Sequence, residues 1–543
     1  MPPRSRRQRA VVAVALASVL AVILGSALIP YVGSTTPDPT SVQTEAATPT
    51  QPPATSAGST APREASRSAA GRPIQPINDV RPPGFTDPPS GRGAQRYRDQ
   101  RITWSDCGKG LQCAKVKVPL DYADPDGLAI TLALAKRPAT DGPKAGTLFV
   151  NPGGPGGSGV DFVGSFDAKG LERYDIIGWD PRGTGASTPV VCANGKAMDA
   201  YTSIDISPDD AAEEAALERA QLDFGLGCLD LSGALLAHIS TVDTVHDLDL
   251  LRELVGERRL DYLGFSYGTK IGAYYAQLYP QHVGRLALDG AVNLTERKDI
   301  SQLDGFERAL DSFAAWCAAR ECKLGETKSE VLDSIRTLLR ELDSKPIDGG
   351  RAKLTQQLGL TGILAVLYEN EEGWRYLQRG LEMAVDDHDG RYLMYFADAY
   401  NERAKSGRYG QLQFSFEAIR CLDSPDDSVA KAWREARTEA KRAPILGPFA
   451  GADLSCPLWP VASAPKLPKI TGKGAAPILV VGTTGDPATP YEYAERMASQ
   501  LESGHLLTLR GEGHLAYGQS SCIRRHVQAY LLSGKLPAAK TRC

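Results

Sequence analysis

Short apolar runs and helical patterns alternate along most of the chain. Runs at 114–120, 128–135, 147–150, 174–179, 260–265, 285–288, 478–481 and 505–509 are rich in Val, Ile, Leu and Ala. Near-continuous hydrophobicity over so few residues predicts strands buried on both faces. Between several of them lie stretches with apolar residues at helical spacing, notably 241–255, 269–279 and 523–532. This alternation predicts an α/β fold, a mostly parallel sheet with helices on both faces. From 294 to 464 the alternation stops. Helical periodicity continues through 306–317, 331–342 and 377–385, and strand-like runs resume afterwards. The interruption therefore reads as an inserted helical cap, and a separate helical domain is the other reading. The expected division is an N-terminal segment 1–33, a linker 34–98, core 99–293, cap 294–464 and core again 465–543.

The N-terminal fifth changes the picture of where the chain works. Arg4, Arg6, Arg7 and Arg9 precede an apolar run from 10 to 29, broken only by Ser18, Gly25 and Ser26. A positive flank stays on the cytoplasmic side, and about 20 apolar residues suffice to cross a bilayer. The segment is thus a signal peptide or a signal anchor, and it implies an extracellular or cell-surface protein, with residues 10–29 as the membrane anchor if retained. The linker is dominated by Pro, Thr, Ser, Ala and Gly, a composition that cannot bury enough surface to order itself. All 10 cysteines lie beyond position 100. An even count in an exported chain reads as disulfides, here expected between sequence neighbours: Cys107 with Cys113, Cys192 with Cys228, Cys317 with Cys322, Cys421 with Cys456, and Cys522 with Cys543. No C-x-x-C pair occurs and histidines do not cluster with cysteines, so no metal site is expected. A net charge of -4 from 61 basic and 65 acidic residues carries no dominant sign and no signature of nucleic-acid binding.

The candidate chemistry centres on Gly264-Phe265-Ser266-Tyr267-Gly268, between a strand-like run and a helical pattern. A serine on such a turn has its hydroxyl exposed, and the adjoining helix N-terminus favours developing negative charge. Asn151-Pro152-Gly153-Gly154-Pro155-Gly156-Gly157-Ser158-Gly159 follows another strand. Its glycines let backbone N–H groups face a substrate carbonyl, and the expected oxyanion donors are the Gly154 and Tyr267 amides, worth roughly 3 kcal/mol each. A phosphate loop would need a following Lys-Ser/Thr, which is missing. A serine nucleophile needs a base, and of the 7 histidines His514 stands after the last strand-like run, before the last helix. The acid belongs after a strand between the two. Asp486 fits, Asp289 competes one strand earlier, and Asp180 is expected to brace the serine's turn.

These motifs, with Gly178-Trp179-Asp180-Pro181-Arg182-Gly183-Thr184-Gly185, Ala418-Ile419-Arg420-Cys421-Leu422-Asp423 and Gly485-Asp486-Pro487-Ala488-Thr489-Pro490, resemble those of actinobacterial secreted tripeptidyl aminopeptidases and their proline-iminopeptidase relatives. The resemblance runs from about Trp104 to Cys543. It implies an α/β-hydrolase fold with a helical cap, a Ser266-Asp486-His514 triad, peptide substrates, no metal or cofactor, and release of tripeptides from free N-termini. It also implies a cap anion for the substrate ammonium, with Glu371, Glu372, Glu417 and Asp423 as candidates. An exported esterase or lipase would use the same triad. A non-catalytic surface-binding module is the third reading, and the retention of all three residues in register argues against it.

Overall fold

The computed structural model describes residues 84–543 except 296, 298, 425 and 426. The apolar run 10–29 and most of the expected linker lie outside the described residues. Nine strands form one sheet: β1 (Ser105–Gly108), β2 (Leu111–Pro119), β3 (Ala129–Arg137), β4 (Gly146–Asn151), β5 (Tyr174–Trp179), β6 (Leu260–Phe265), β7 (Val283–Asp289), β10 (Ile478–Gly485) and β11 (Gly504–Glu512), in the order β1-β2-β3-β5-β4-β6-β7-β10-β11. The two-residue strands β8 (Ile347–Asp348) and β9 (Lys353–Leu354) make a separate ribbon. Pairing is antiparallel from β1 to β5 and parallel from β5 onward.

Successive residues of the parallel strands face opposite sides, and both sides are dry. Tyr262, Leu286, Leu288 and Val480 pack with the helices Thr241–Leu254, Tyr267–Leu278 and Tyr491–Gln500. Leu263, Ala287, Leu479 and Val481 pack with Gly159–Ser165 and Ser521–Ser533 on the other face. Such two-sided burial is why these strands read as unbroken apolar runs. The sheet's outer edge at β11 is covered by the C-terminus, where Cys543 N–H donates to Thr508 and the Cys543 carbonyl accepts from Arg510 N–H.

Between β7 and β10, which pair directly, run the helices Gln302–Ala318, Lys328–Ser344, Gln356–Leu367, Glu371–Asp386, Arg391–Tyr400, Leu412–Asp423 and Val429–Arg442. Reciprocal capping by Ser301 with Asp304 and Thr327 with Glu330 starts the first two. Most of these helices share their own apolar core, in which Leu310, Phe313, Ile335, Leu339, Ile363, Leu377 and Leu393 are fully buried. Leu412–Asp423 instead packs Phe414, Ala418 and Ile419 into the sheet's core.

Two features depart from the sequence reading. Residues from Gly84 on, inside the expected linker, take part in the fold: Thr86 bridges Ala129 of β3, and buried Tyr97 sits on the short helix Gln95–Arg98. With Phe85 and Tyr97 as its main apolar residues, this stretch carried little hydrophobic signal. A long helix, Ala211–Ser232, also lies between β5 and β6 ahead of the expected helix at 241–255, and the sequence reading had not singled it out. The five disulfides join Cys107–Cys113, Cys192–Cys228, Cys317–Cys322, Cys421–Cys456 and Cys522–Cys543.

Candidate active site

β6 ends at Phe265 and the next helix starts at Tyr267, so Ser266 alone reverses the chain. It does so at φ 52° and ψ −121°, a conformation that costs a non-glycine residue on the order of 1–3 kcal/mol. The flanking glycines are steric necessities. A Cβ on Gly264 would lie 2.5 Å from the Gly268 carbonyl, and one on Gly268 would lie 2.9 Å from Asn151 Oδ1. The Ser266 N–H donates to the Asp289 carbonyl at 2.9 Å, and Thr269 donates its N–H and Oγ1–H to the Ser266 carbonyl at 2.8 and 2.6 Å. Among the described residues Ser266 Oγ makes no hydrogen bond, to His514 or otherwise. Such contacts in unliganded hydrolases are often long and tighten with substrate.

The glycine loop after β4 presses backbone to backbone against this turn. A Cβ on Gly153 would come within 2.4 Å of the Phe265 carbonyl and 3.0 Å of Ser266 Cβ. Buried Asn151 accepts the Gly153 N–H on Oδ1 at 3.0 Å. Among the described residues neither the Gly154 N–H nor the Tyr267 N–H has a backbone or side-chain acceptor, the latter because Tyr267 opens its helix.

The sequence suggested that Asp180 braces the serine's turn, but its carboxylate bonds elsewhere. Its carboxylate accepts from Ser158 Oγ at 2.7 Å, Val160 N–H at 3.0 Å and Ala186 N–H at 2.7 Å, so it anchors the far end of the glycine loop. Position explains this, since β5 ends beside the helix Gly159–Ser165 and not beside Ser266. Burial pushes the Asp180 carboxyl up to about 6 against these hydrogen bonds. Arg182, fully buried two residues on, bonds both oxygens of buried Asp247 at 2.7 Å and the carbonyls of Pro119, Leu120 and His238.

His514 follows β11. Its N–H donates to the Tyr368 carbonyl at 2.8 Å, and its Nδ1 lies 2.8 and 3.0 Å from the two oxygens of Asp486. Asp486 also accepts from the N–H groups of Ala488, Thr489 and Leu515, so its orientation is over-determined. The Tyr368 ring stands edge-on to the imidazole, 5.4 Å between centroids. Asp289, the competing acid, does not bond the imidazole. Its carboxylate accepts the Ala516 N–H at 3.1 Å and the Tyr517 N–H at 2.7 Å. Among the described residues Cys522, His526 and Cys543 are close enough to hold a metal, but both sulfurs belong to one disulfide and offer no thiolate.

A Mycobacterium tuberculosis protein named Serine protease Hip1 is 35% identical over 491 residues, covering 83% of this chain and 92% of its own. A Streptomyces lividans protein named Tripeptidyl aminopeptidase is 32% identical over 477 residues, covering 83% and 88%. A family model described as TAP-like protein matches residues 443–543. This chain belongs to the TAP-like family. A Mycobacterium tuberculosis protein named Carboxylesterase B is 35% identical over 456 residues, covering 80% and 86%.

In this TAP-like chain most of the acids singled out from sequence already have cations. Asp423 accepts from Lys270 Nζ at 2.7 Å and from the N–H and hydroxyl of Thr241, tying the helix Leu412–Asp423 to the helix that follows Ser266. Glu417 bonds Arg420, which also bonds Asp453; burial raises the Glu417 carboxyl while Arg420 lowers it. Glu371 is exposed and lies 3.6 Å from Arg320, and Glu372 is exposed in the same helical turn. Two acids that sequence reasoning passed over lie closer to the site. Glu402 accepts the Leu412 N–H at 3.1 Å, and a Cβ on Gly154 would lie 3.3 Å from Leu412 Cδ1. Glu369 follows Tyr368 directly, and a Cβ on Gly513 would lie 3.0 Å from its carbonyl carbon. Burial, with Glu372 adding, pushes the Glu369 carboxyl up to about 7, and no cation pairs with it among the described residues.

Proposed function

We propose that this protein is an exported serine peptidase that releases short peptides from free N-termini, with Ser266, His514 and Asp486 as its triad. The observation that carries the reading is the His514–Asp486 bond, taken together with the strained Ser266 turn. Asp486 fixes the imidazole with Nδ1 protonated, which leaves Nε2 to take the Ser266 proton. Ser266 Oγ attacks the scissile carbonyl, and the Gly154 and Tyr267 amides receive the oxyanion. His514 then gives its proton to the leaving amine, and the same base activates the water that hydrolyses the acyl-enzyme. Export is supported by the five disulfides, which persist in oxidising compartments.

The substrate ammonium needs a carboxylate whose charge is not already met, and Glu369 fits that need best. Its cap segment, Tyr368-Glu369-Asn370, lies against Gly513-His514. Ester hydrolysis by the same residues is the second reading, favoured by the name of the carboxylesterase relative. A tripeptide anilide with a free amine, its N-acetylated counterpart and a short acyl ester separate the two. The peptidase reading expects kcat/KM for the free amine to exceed that of the blocked peptide by at least about 10-fold, and Glu369→Gln to erase most of that gap. Equal rates on both peptides, or turnover of the ester alone, would overturn it.

A further inference from the structure

Asp289 is fully buried, and the acyl-transfer steps above give it nothing to do. A buried carboxylate without a cation is expensive unless it is well solvated by donors. Here the solvation comes from the amides of Ala516 and Tyr517, two and three residues beyond His514. The same residue's carbonyl accepts the Ser266 N–H. Next in the chain, Gly290 donates its N–H to the Val481 carbonyl of β10, the strand that leads to Asp486. A Cβ on Gly290 would lie 3.2 Å from His514 Cε1. Residues 289–290 therefore touch the strand or loop of each of Ser266, Asp486 and His514.

We propose that Asp289 is a positioning residue that locks the His514 loop to the Ser266 turn and supplies a second negative charge for the imidazolium formed during acyl transfer. This rests on the reading of Ser266 and His514 given above. An apolar residue would fill the space at lower cost, but it could not hold two amides or favour a positive ring. The ionisable groups acting on Asp289 are His514, which favours its charge, and Asp486, which opposes it; burial dominates and pushes its carboxyl up to about 6.

The test uses Asp289→Asn and Asp289→Glu in the full chain, with a fluorophosphonate probe and a short acyl ester, so that peptide preference does not enter. For Asp289→Asn we expect kcat to fall roughly 10- to 100-fold with KM held within about two-fold. The acid limb of the pH profile should move down by roughly 0.5 unit, because removing a negative charge makes the imidazolium easier to deprotonate. Asp289→Glu should keep the limb in place yet lose rate, because its charge survives while its geometry does not; it also serves if the Asn variant fails to fold. A folded Asn variant with an unmoved limb and near-normal kcat, or a Glu variant with full rate, would overturn the inference. Probe labelling that persists in Ser266→Ala would instead overturn the reading on which it rests.

Discussion

Ser266 holds a conformation that a serine in a free peptide avoids, and the cost is carried by neighbours that leave no room for relaxation. Gly153 is the tightest of them, at φ 95° and with no space for a methyl group against Phe265 and Ser266. Gly153→Ala should therefore displace the turn or the oxyanion loop, and a shift of about 1 Å is enough to cost roughly 100-fold in rate. Ester turnover checks this, and a variant within about three-fold of wild type would show that the packing is slack. At this scale Ser266, His514 and Asp486 stood out in the sequence because each sits in a glycine- or proline-marked turn after an apolar strand. Glu369 did not, since the acids at 369, 371 and 372 differ only in that the fold half-buries the first and leaves the other two exposed.

At the scale of elements, Asp180 and Arg182 tie the end of β5 to its surroundings, one through the glycine loop and the other through Asp247. Asp180 carries a pH signature. Its folded carboxyl titrates near 6, above the ordinary 3.8. The protonated form thus favours folding below about pH 4, and that contribution, on the order of 3 kcal/mol, is lost as pH rises towards 6. Thermal unfolding of wild type and Asp180→Asn across that window should show a shallower decline with pH for the variant, and identical slopes would contradict the assignment. The parallel strands were legible because both faces are apolar. β1 was not, because all four of its residues are exposed and its pairing is secured by Cys107–Cys113. The helix Ala211–Ser232 was masked by its alanines, with few large side chains at buried positions, among them Leu217, Phe224 and Leu229.

Over the whole molecule, cross-links and the cap's docking join elements that lie apart in the chain. The Cys522–Cys543 bridge pins the last helix to the tail that covers β11. Replacing both cysteines by serine should lower stability by about 3 kcal/mol, by the usual loop-closure argument, and uncover that edge. Calorimetry of the double variant checks the first effect, and an unchanged Tm would contradict it. The helical insertion was legible as a break in alternation, but its contact with the helix after Ser266 through Asp423 and Lys270 was not, because ion pairs between distant segments leave no local pattern.

Every chemical step proposed above passes through Ser266. Folded, disulfide-bonded protein treated with a fluorophosphonate and mapped by peptide mass spectrometry should carry one adduct on Ser266, and Ser266→Ala should carry none. An adduct at another residue, or undiminished labelling of the variant, would contradict the account.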